Sequence, residues 1–305
     1  MIKTGIVGTT GPTTEQLITL LLEHPDVKLC WVSDAEGTAA NQRVDAVFPR
    51  FMGDTDLMIA PIPDLADTDL VFLCCHDGLS LLPSQLPTDL RIIDMCPPRL
   101  CPEGFTYGVC EMNRKFMVHD CYRVACPGAQ AMGIMLGVLP LARNLLLNSD
   151  IEVQSTLVDN GEEVFPALDS NCDPSSLEYV LNILQSSFKS HVVISAKREF
   201  PGGGAQGVLT RIAVKCAVSL EVLLSLYRDY YDDHNFTFVT EREPLLAHVA
   251  DTNKCYIHLS KEGDVLKVST VLNKQYKGTA GNAVHVMNLL FGLHERVALS
   301  PLIDK

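Results

Sequence analysis

The chain has no run of apolar residues long enough to span a bilayer. Its longest, Ala131–Ala142, falls well short of the ~20 residues such a helix needs and carries Pro140. Positive charge is also short: 24 Lys and Arg stand against 37 Asp and Glu, a formal net charge of −13. That balance argues against nucleic acid and anionic membranes as partners, because both recruit cationic surfaces. No Cys-x-x-Cys pair occurs among the 11 cysteines, and His and Cys are nowhere grouped at zinc spacing. An odd number of scattered cysteines reads as reduced, buried small residues of a cytoplasmic protein, not as a disulfide framework. No secretory leader precedes the first strand-like run, and no internal repeat or low-complexity tract is present.

What remains is ample for real cores: 305 residues, 47% of them hydrophobic, enough for one large or two ordinary domains. The opening is a β-type run, Ile2–Val7, then Gly8-Thr-Thr-Gly-Pro-Thr-Thr14, then apolar residues at helical spacing over Glu15–Leu22. Strand, glycine-rich turn and helix is how a dinucleotide-binding βαβ unit begins. Gly5, Gly8 and Gly11 let the backbone bend and approach a diphosphate. Pro12 pre-sets a helix-start φ, and the hydroxyls of Thr9, Thr10, Thr13 and Thr14 can donate to phosphate oxygens. Val27–Ser33, Leu70–Cys75 and Leu90–Met95 read as further strands, with helices over Glu15–Glu23 and Leu79–Leu86. The alternation implies a parallel sheet covered on both faces, binding ligands at the carboxyl ends of its strands. Ser33 and Asp34 end the second strand, where a carboxylate favours a ribose diol and repels a 2′-phosphate.

Arg123-Val-Ala-Cys-Pro-Gly-Ala-Gln130 runs into the apolar segment 131–147. A Pro-Gly pair before such a segment marks a turn that opens a helix, whose free N–H groups and partial positive charge suit an anion or a thiolate. The residue in that seat is Ala129, which has no side-chain chemistry. From Ile151 the pattern becomes α+β. Strands are expected over Ile151–Val158, His191–Ala196 and Val208–Lys215, and helices over Ser175–Ser187 and Ser219–Tyr231. A hairpin follows, Cys255–Leu259 with Val265–Val271, before a last helix over Asn282–Gly292.

Four stretches taken in order resemble the N-acetyl-γ-glutamyl-phosphate reductase family, a relative of aspartate-semialdehyde dehydrogenase. They are Gly5–Leu17, Tyr107-Gly-Val-Cys-Glu-Met-Asn-Arg114, Cys126-Pro-Gly-Ala129 and Lys277-Gly-Thr-Ala-Gly-Asn-Ala-Val-His-Val-Met-Asn288. Asn253–Leu259 is also similar to the family's penultimate strand. The resemblance implies a Rossmann-type parallel-sheet domain, residues 1–128 with 282–305, and an inserted α+β semialdehyde-dehydrogenase-like domain, residues 129–281. It implies NADP or NAD as cofactor, a small-molecule substrate and a homo-oligomer. The implied reaction starts with a cysteine attacking an acyl phosphate; hydride from the nucleotide then reduces the thioester, with a histidine as acid/base. By the same resemblance Gly8, Thr10, Gly11, Pro12, Thr13, Ser33, Asp34 and Gly281 face the nucleotide. Arg99, Arg114 and Gln206 face the substrate.

The sequence departs from that pattern where the chemistry sits. The family's Asn-Pro-Gly-Cys reads Cys126-Pro127-Gly128-Ala129, and an alanine methyl forms no thioester. The segment that should hold the histidine, residues 159–174, contains none. Glu162, Glu163 or Cys172 could stand in, although a surface loop is the plainer reading. The arginine that precedes Gly-Ile in the family is Gln206, without charge or guanidinium fork. Two readings stay open: a reductase by descent with impaired catalysis, or a non-catalytic homologue that binds a nucleotide or metabolite as a regulatory or partner protein.

Overall fold

The computed structural model describes residues 1–8, 11–34, 37, 39–97, 103–119, 121–159, 167–169, 172–200 and 206–300. The chain divides into two units, Met1–Cys126 with Thr279–Lys305, and Pro127–Gly278. Each junction lies a few residues before the position expected above. The reason is local: Gly278 N–H donates to Asn273 O at 3.0 Å, and a Cβ on Gly278 would stand 2.6 Å from that of Ala129. Both ends of the second unit are knit into it.

The first unit is built from β1 (Ile2–Gly8), α1 (Pro12–Leu22), β2 (Val27–Asp34), α2 (Val44–Val47), β3 (Ile59–Ala60), β4 (Leu70–Cys74), β5 (Arg91–Asp94), β6 (Thr106–Tyr107), α3 (Cys110–His119) and β7 (Arg123–Ala125). Among the described residues the strands form one sheet in the order β3-β2-β1-β4-β5-β7-β6. Every pairing in it is parallel. β4 is Leu-Val-Phe-Leu-Cys, buried at every position, the continuous apolar run of a strand covered on both sides. The single tryptophan lies on Gly5: a Cβ there would fall 2.1 Å from Trp31 Cε2, so only glycine admits the indole. A helix over Leu79–Leu86 does not form. One 3-10 turn, Gly78–Leu81, stands there, and Pro83 follows it with no N–H to continue the ladder.

The second unit comprises α4 (Ala129–Arg143), β8 (Ile151–Val158), α5 (Pro174–Leu184), β9 (Val192–Glu199), β10 (Gly207–Lys215), α6 (Leu220–Tyr231), β11 (Thr237–Thr240), β12 (Cys255–Glu262) and β13 (Val265–Leu272). Its sheet runs β11-β12-β13-β10-β8-β9. It is antiparallel from β12 to β8 and parallel at both ends. The hairpin strands β12 and β13 run up to a tight turn at Gly263, whose φ of +57° suits glycine. Ser219 caps α6 by accepting from Val222 N–H, and Asp173 caps α5 through Ser175 and Ser176 N–H.

α4 is buried at every residue from Ala129 to Ala142. It lies directly on the sheet because Gly133 and Gly137 present no side chains. A Cβ on Gly133 would meet Thr210 Oγ1 at 2.8 Å, and one on Gly137 would meet Ile212 Cδ1 at 2.4 Å. Pro140 does not end this helix. It removes the N–H that would bond Leu136 O, and Tyr231 OH of α6 donates to that carbonyl at 2.5 Å instead. Tyr227 OH donates to Gly137 O at 2.6 Å.

After a π turn, Tyr276–Ala280, the chain re-enters the first unit with α7 (Gly281–Leu290), which packs on α1, α3 and β5. No helix among the described residues is long and apolar enough to cross a membrane.

Candidate functional site

In the first unit the ligand-type geometry is the turn between β1 and α1. Gly8 pairs with Asp34 on one side and Cys74 on the other. A Cβ on Gly8 would stand 3.0 Å from Cys74 Cβ and 3.3 Å from Thr14 Oγ1, so its absence lets the helix start sit against the sheet. Gly11 is the N-cap of α1 in extended conformation, without a side-chain cap, and a Cβ there would meet nothing among the described residues within 4 Å. Pro12 holds the first helical position, and Glu15 N–H closes the first turn on Gly11 O at 3.0 Å. The helix thus opens on glycine and proline without a side-chain cap, the arrangement that receives a phosphate. Thr13 belongs to this turn; Thr10 lies outside the described residues.

Ser33 and Asp34 close β2 at the same sheet edge, both buried. Ser33 Oγ donates to Ile6 O at 3.4 Å, and Asp34 Oδ2 accepts from Ala39 N–H at 2.6 Å, so both side chains brace their own surroundings. Farther along the edge stands Asp94, whose carboxyl burial pushes up to about 6, against the opposing pull of the Cys96 N–H and His76. Cys96 N–H donates to Asp94 Oδ1 at 2.9 Å. Burial, the nearby Asp94 charge and Cys75 push the Cys96 thiol up to about 12, so it is no nucleophile near neutral pH.

Arg114 is on α3, where its guanidinium pairs with Glu295 at 2.7 Å. The other oxygen of Glu295 meets His285 Nε2 of α7 at 2.6 Å. This group, with His24 Nε2 on Asn288 Oδ1 at 2.9 Å, ties α3, α7 and the end of α1 together, and sequence reasoning did not single it out. Gly281 is the buried first residue of α7. Arg99 lies outside the described residues, as do Glu162 and Glu163. Cys126 is buried in the first unit, its Sγ 2.9 Å from where a Cβ on Gly108 would be, which is the packing of a structural thiol.

In the second unit Ala129 opens α4 behind Gly128, which is extended (φ −66°, ψ 168°) and offers no side-chain cap. Ala129 is 1% exposed, its methyl against Gly278. Gln130 is fully buried: its amide nitrogen donates to Ser155 Oγ at 2.9 Å and Ala167 O at 3.0 Å, and its oxygen accepts from Asp169 N–H at 2.6 Å. One glutamine therefore fixes the stretch 167–169 beside the helix start. Loss of solvent pushes the Asp169 carboxyl up, while the Lys274 and Arg198 charges pull it down. Burial, with the Asp169 and Asp173 charges, pushes the Cys172 thiol far above its usual range. Gln206, half-buried, leads into β10, at the sheet end that also carries Asp159, Arg198 and Lys274. Among the described residues no group of His, Cys, Asp and Glu could hold a metal ion.

Residues 3–119 match the semialdehyde dehydrogenase NAD-binding domain. N-acetyl-gamma-glutamyl-phosphate reductase of Parabacteroides distasonis is 35% identical, with 98% of each chain covered. The enzyme of the same name from Phocaeicola vulgatus is 36% identical, again over 98% of each.

The chain belongs to the N-acetyl-γ-glutamyl-phosphate reductase family.

Among solved structures, a probable aspartate-semialdehyde dehydrogenase of Pseudomonas aeruginosa superposes with a TM-score of 0.69 at 15% identity, covering 95% of this chain and 98% of that one. Aspartate semialdehyde dehydrogenase II of Vibrio cholerae gives 0.68 at 11% identity, covering 96% and 98%. At such identities the likeness shows the fold, and it places this reductase-family chain among α/β proteins of semialdehyde-dehydrogenase architecture.

Proposed function

We propose that this member of the reductase family binds NAD or NADP and a small metabolite, forms no thioester, and serves as a regulatory or partner protein. The observation that carries the reading is Ala129. The family pattern implies a cysteine at this helix start, where the N–H groups and partial positive charge of α4 would favour a thiolate. Here a methyl group fills the position, 1% exposed and packed on Gly278. Cys172, the described thiol of the loop that should supply the proton donor, is held protonated.

The glycine- and proline-led turn at Gly8, Gly11 and Pro12 suits the diphosphate of a dinucleotide, and among the described residues nothing lies within 4 Å of where a Cβ on Gly11 would be. Bound there, the nucleotide supplies hydride chemistry. Asp34 at the end of β2 puts negative charge where NADP carries its 2′-phosphate, which favours NAD. Mixed charge on the strands of the second sheet, with Glu152, Arg211 and Lys267 around one cavity, supports pairing with a second copy. Free thiols suit the cytoplasm.

The test is the reverse reaction: phosphate-dependent reduction of NAD⁺ or NADP⁺ by N-acetyl-glutamate semialdehyde. No turnover above the enzyme-free rate is expected, together with saturable nucleotide binding in a fluorescence titration. Clear turnover would restore the competing reading, a working reductase with a relocated nucleophile.

A further inference from the structure

A sheet ends in strands whose outer N–H and C=O groups lack a partner, and folds keep such strands short, charged, kinked or covered. Among the described residues three of the sheet edges follow that rule: β3 and β6 are two residues long and β11 is four. β9 does not. It is the outer strand of the second sheet and runs for eight residues, Val192-Val-Ile-Ser-Ala-Lys-Arg-Glu199, with no proline, no glycine and no break in its register on β8. Its charges are confined to the last three positions, and Val193 is 56% exposed.

The register decides which groups face outward. Ile151 N–H donates to His191 O and Asp159 N–H to Glu199 O, so the odd-numbered residues of β9 turn their backbone toward β8. Val192, Ile194, Ala196 and Arg198 therefore turn theirs away from the sheet. The chain caps the first of these itself, Val192 N–H donating to Glu178 Oε1 at 2.9 Å. Among the described residues the outward N–H and C=O of Ile194 and Ala196 meet no partner. Residues 160–166 and 201–205 attach to the sheet at its Glu199 end, ~16 Å from Ile194 along the strand.

We propose that β9 pairs with β9 of a second copy, antiparallel about a two-fold axis at Ser195, so that the six-stranded sheets of two chains become continuous. In that register Ile194 of each copy lies opposite Ala196 of the other, and the two residues exchange both backbone hydrogen bonds. The edge is thus its own complement, as a two-fold contact requires. The side chains agree. Ser195 meets Ser195, Val193 lies against the methylenes of Lys197, and Glu199 faces His191, so no like charges are opposed. This contact is distinct from pairing through the open face of the sheet, and it is independent of nucleotide binding.

Ser195→Cys tests it. Residues opposed in a non-hydrogen-bonded antiparallel pair have Cα atoms ~4.5 Å apart, within disulfide reach. Oxidation of the full chain with diamide should give a covalent dimer on a non-reducing gel. Wild type and Tyr179→Cys, an exposed site on α5, should give none. Sedimentation supplies a second readout: Ser195→Lys opposes like charges at the axis and should weaken self-association about tenfold, and mixing it with Ser195→Glu should restore it. Arg211→Glu, on the open face, should leave the Ser195→Cys dimer intact, so the two contacts fail separately. No Ser195→Cys dimer above the Tyr179→Cys level, or equal assembly by wild type and Ser195→Lys, overturns the edge pairing. Wild type that stays monomeric up to ~100 µM overturns it as well, and leaves β9 to a strand of another protein.

Discussion

At the scale of single residues, burial decides which groups can react. Asp94 shows how a side chain at the ligand edge of a parallel sheet trades stability for position. Free in an unfolded chain it would ionise near pH ~3.9, whereas in the fold burial holds its proton to about 6. Between those values the folded state binds more protons than the unfolded one. Stability therefore falls as pH rises through that window and stays lower above it. At roughly 1.4 kcal/mol per pH unit the difference reaches about 3 kcal/mol. Asp94→Asn keeps an acceptor for the Cys96 N–H and avoids the buried charge. It should exceed wild type by about 1–3 kcal/mol in urea titrations near pH ~7.5 and match it near pH ~3.5. Asp94 reads in the sequence only as the end of an apolar strand, since its surroundings come from β4 and from the chain beyond β5.

At the scale of elements, α4 departs most from what its sequence alone suggests. Pro140 in the apolar run looks like a breaker, because it takes away the donor to Leu136 O. The fold keeps the helix by supplying another donor from 95 positions away, the Tyr231 hydroxyl. Tyr231→Phe should cost about 1–2 kcal/mol, the penalty for a buried carbonyl left without a partner. In Pro140→Ala a backbone N–H again reaches Leu136 O, so the tyrosine change should cost markedly less there. A double-mutant cycle in urea measures that coupling, and additive effects would refute the substitution of one donor for the other. Gly133 and Gly137, four apart, were legible as small residues on one face of a helix. That this face meets Thr210, Thr270 and Ile212 was not, because the sheet is assembled from strands far along the chain.

At the scale of the whole molecule, the second unit is one continuous stretch whose ends meet inside it, at Ala129 and Gly278. Its sheet and the helices α4, α5 and α6 enclose their own core, with Leu136, Val153, Ile212, Leu223 and Val268 all at or below 2% exposure. A segment of that kind can fold alone. Residues 127–278 expressed by themselves should give a single cooperative urea transition and bind no nucleotide, by fluorescence titration. A fragment without cooperative unfolding would show that the unit depends on the rest of the chain. The first unit is discontinuous, since α7 must return to α1, α3 and β5, and neither of its two pieces alone should fold.

Read from the sequence, the order of elements is dictated by local chemistry. Glycine and proline between β1 and α1, the apolar run of β4, the Ser219 cap and the Gly263 turn each act over a few neighbouring residues. Such signals survive in a linear string. Ala129 in the helix-start seat belongs to the same class. The sequence could not show that Arg198 and Lys274 meet on Asp159, because 39 and 115 positions separate those pairs. Nor could it show that Arg114 is held by Glu295, or that Gln130 pins Asp169. These depend on strand register and on where α4 crosses the sheet, so only the packed structure decides them. Charge and hydrogen bonding act through space, and the chain records only the positions of their donors.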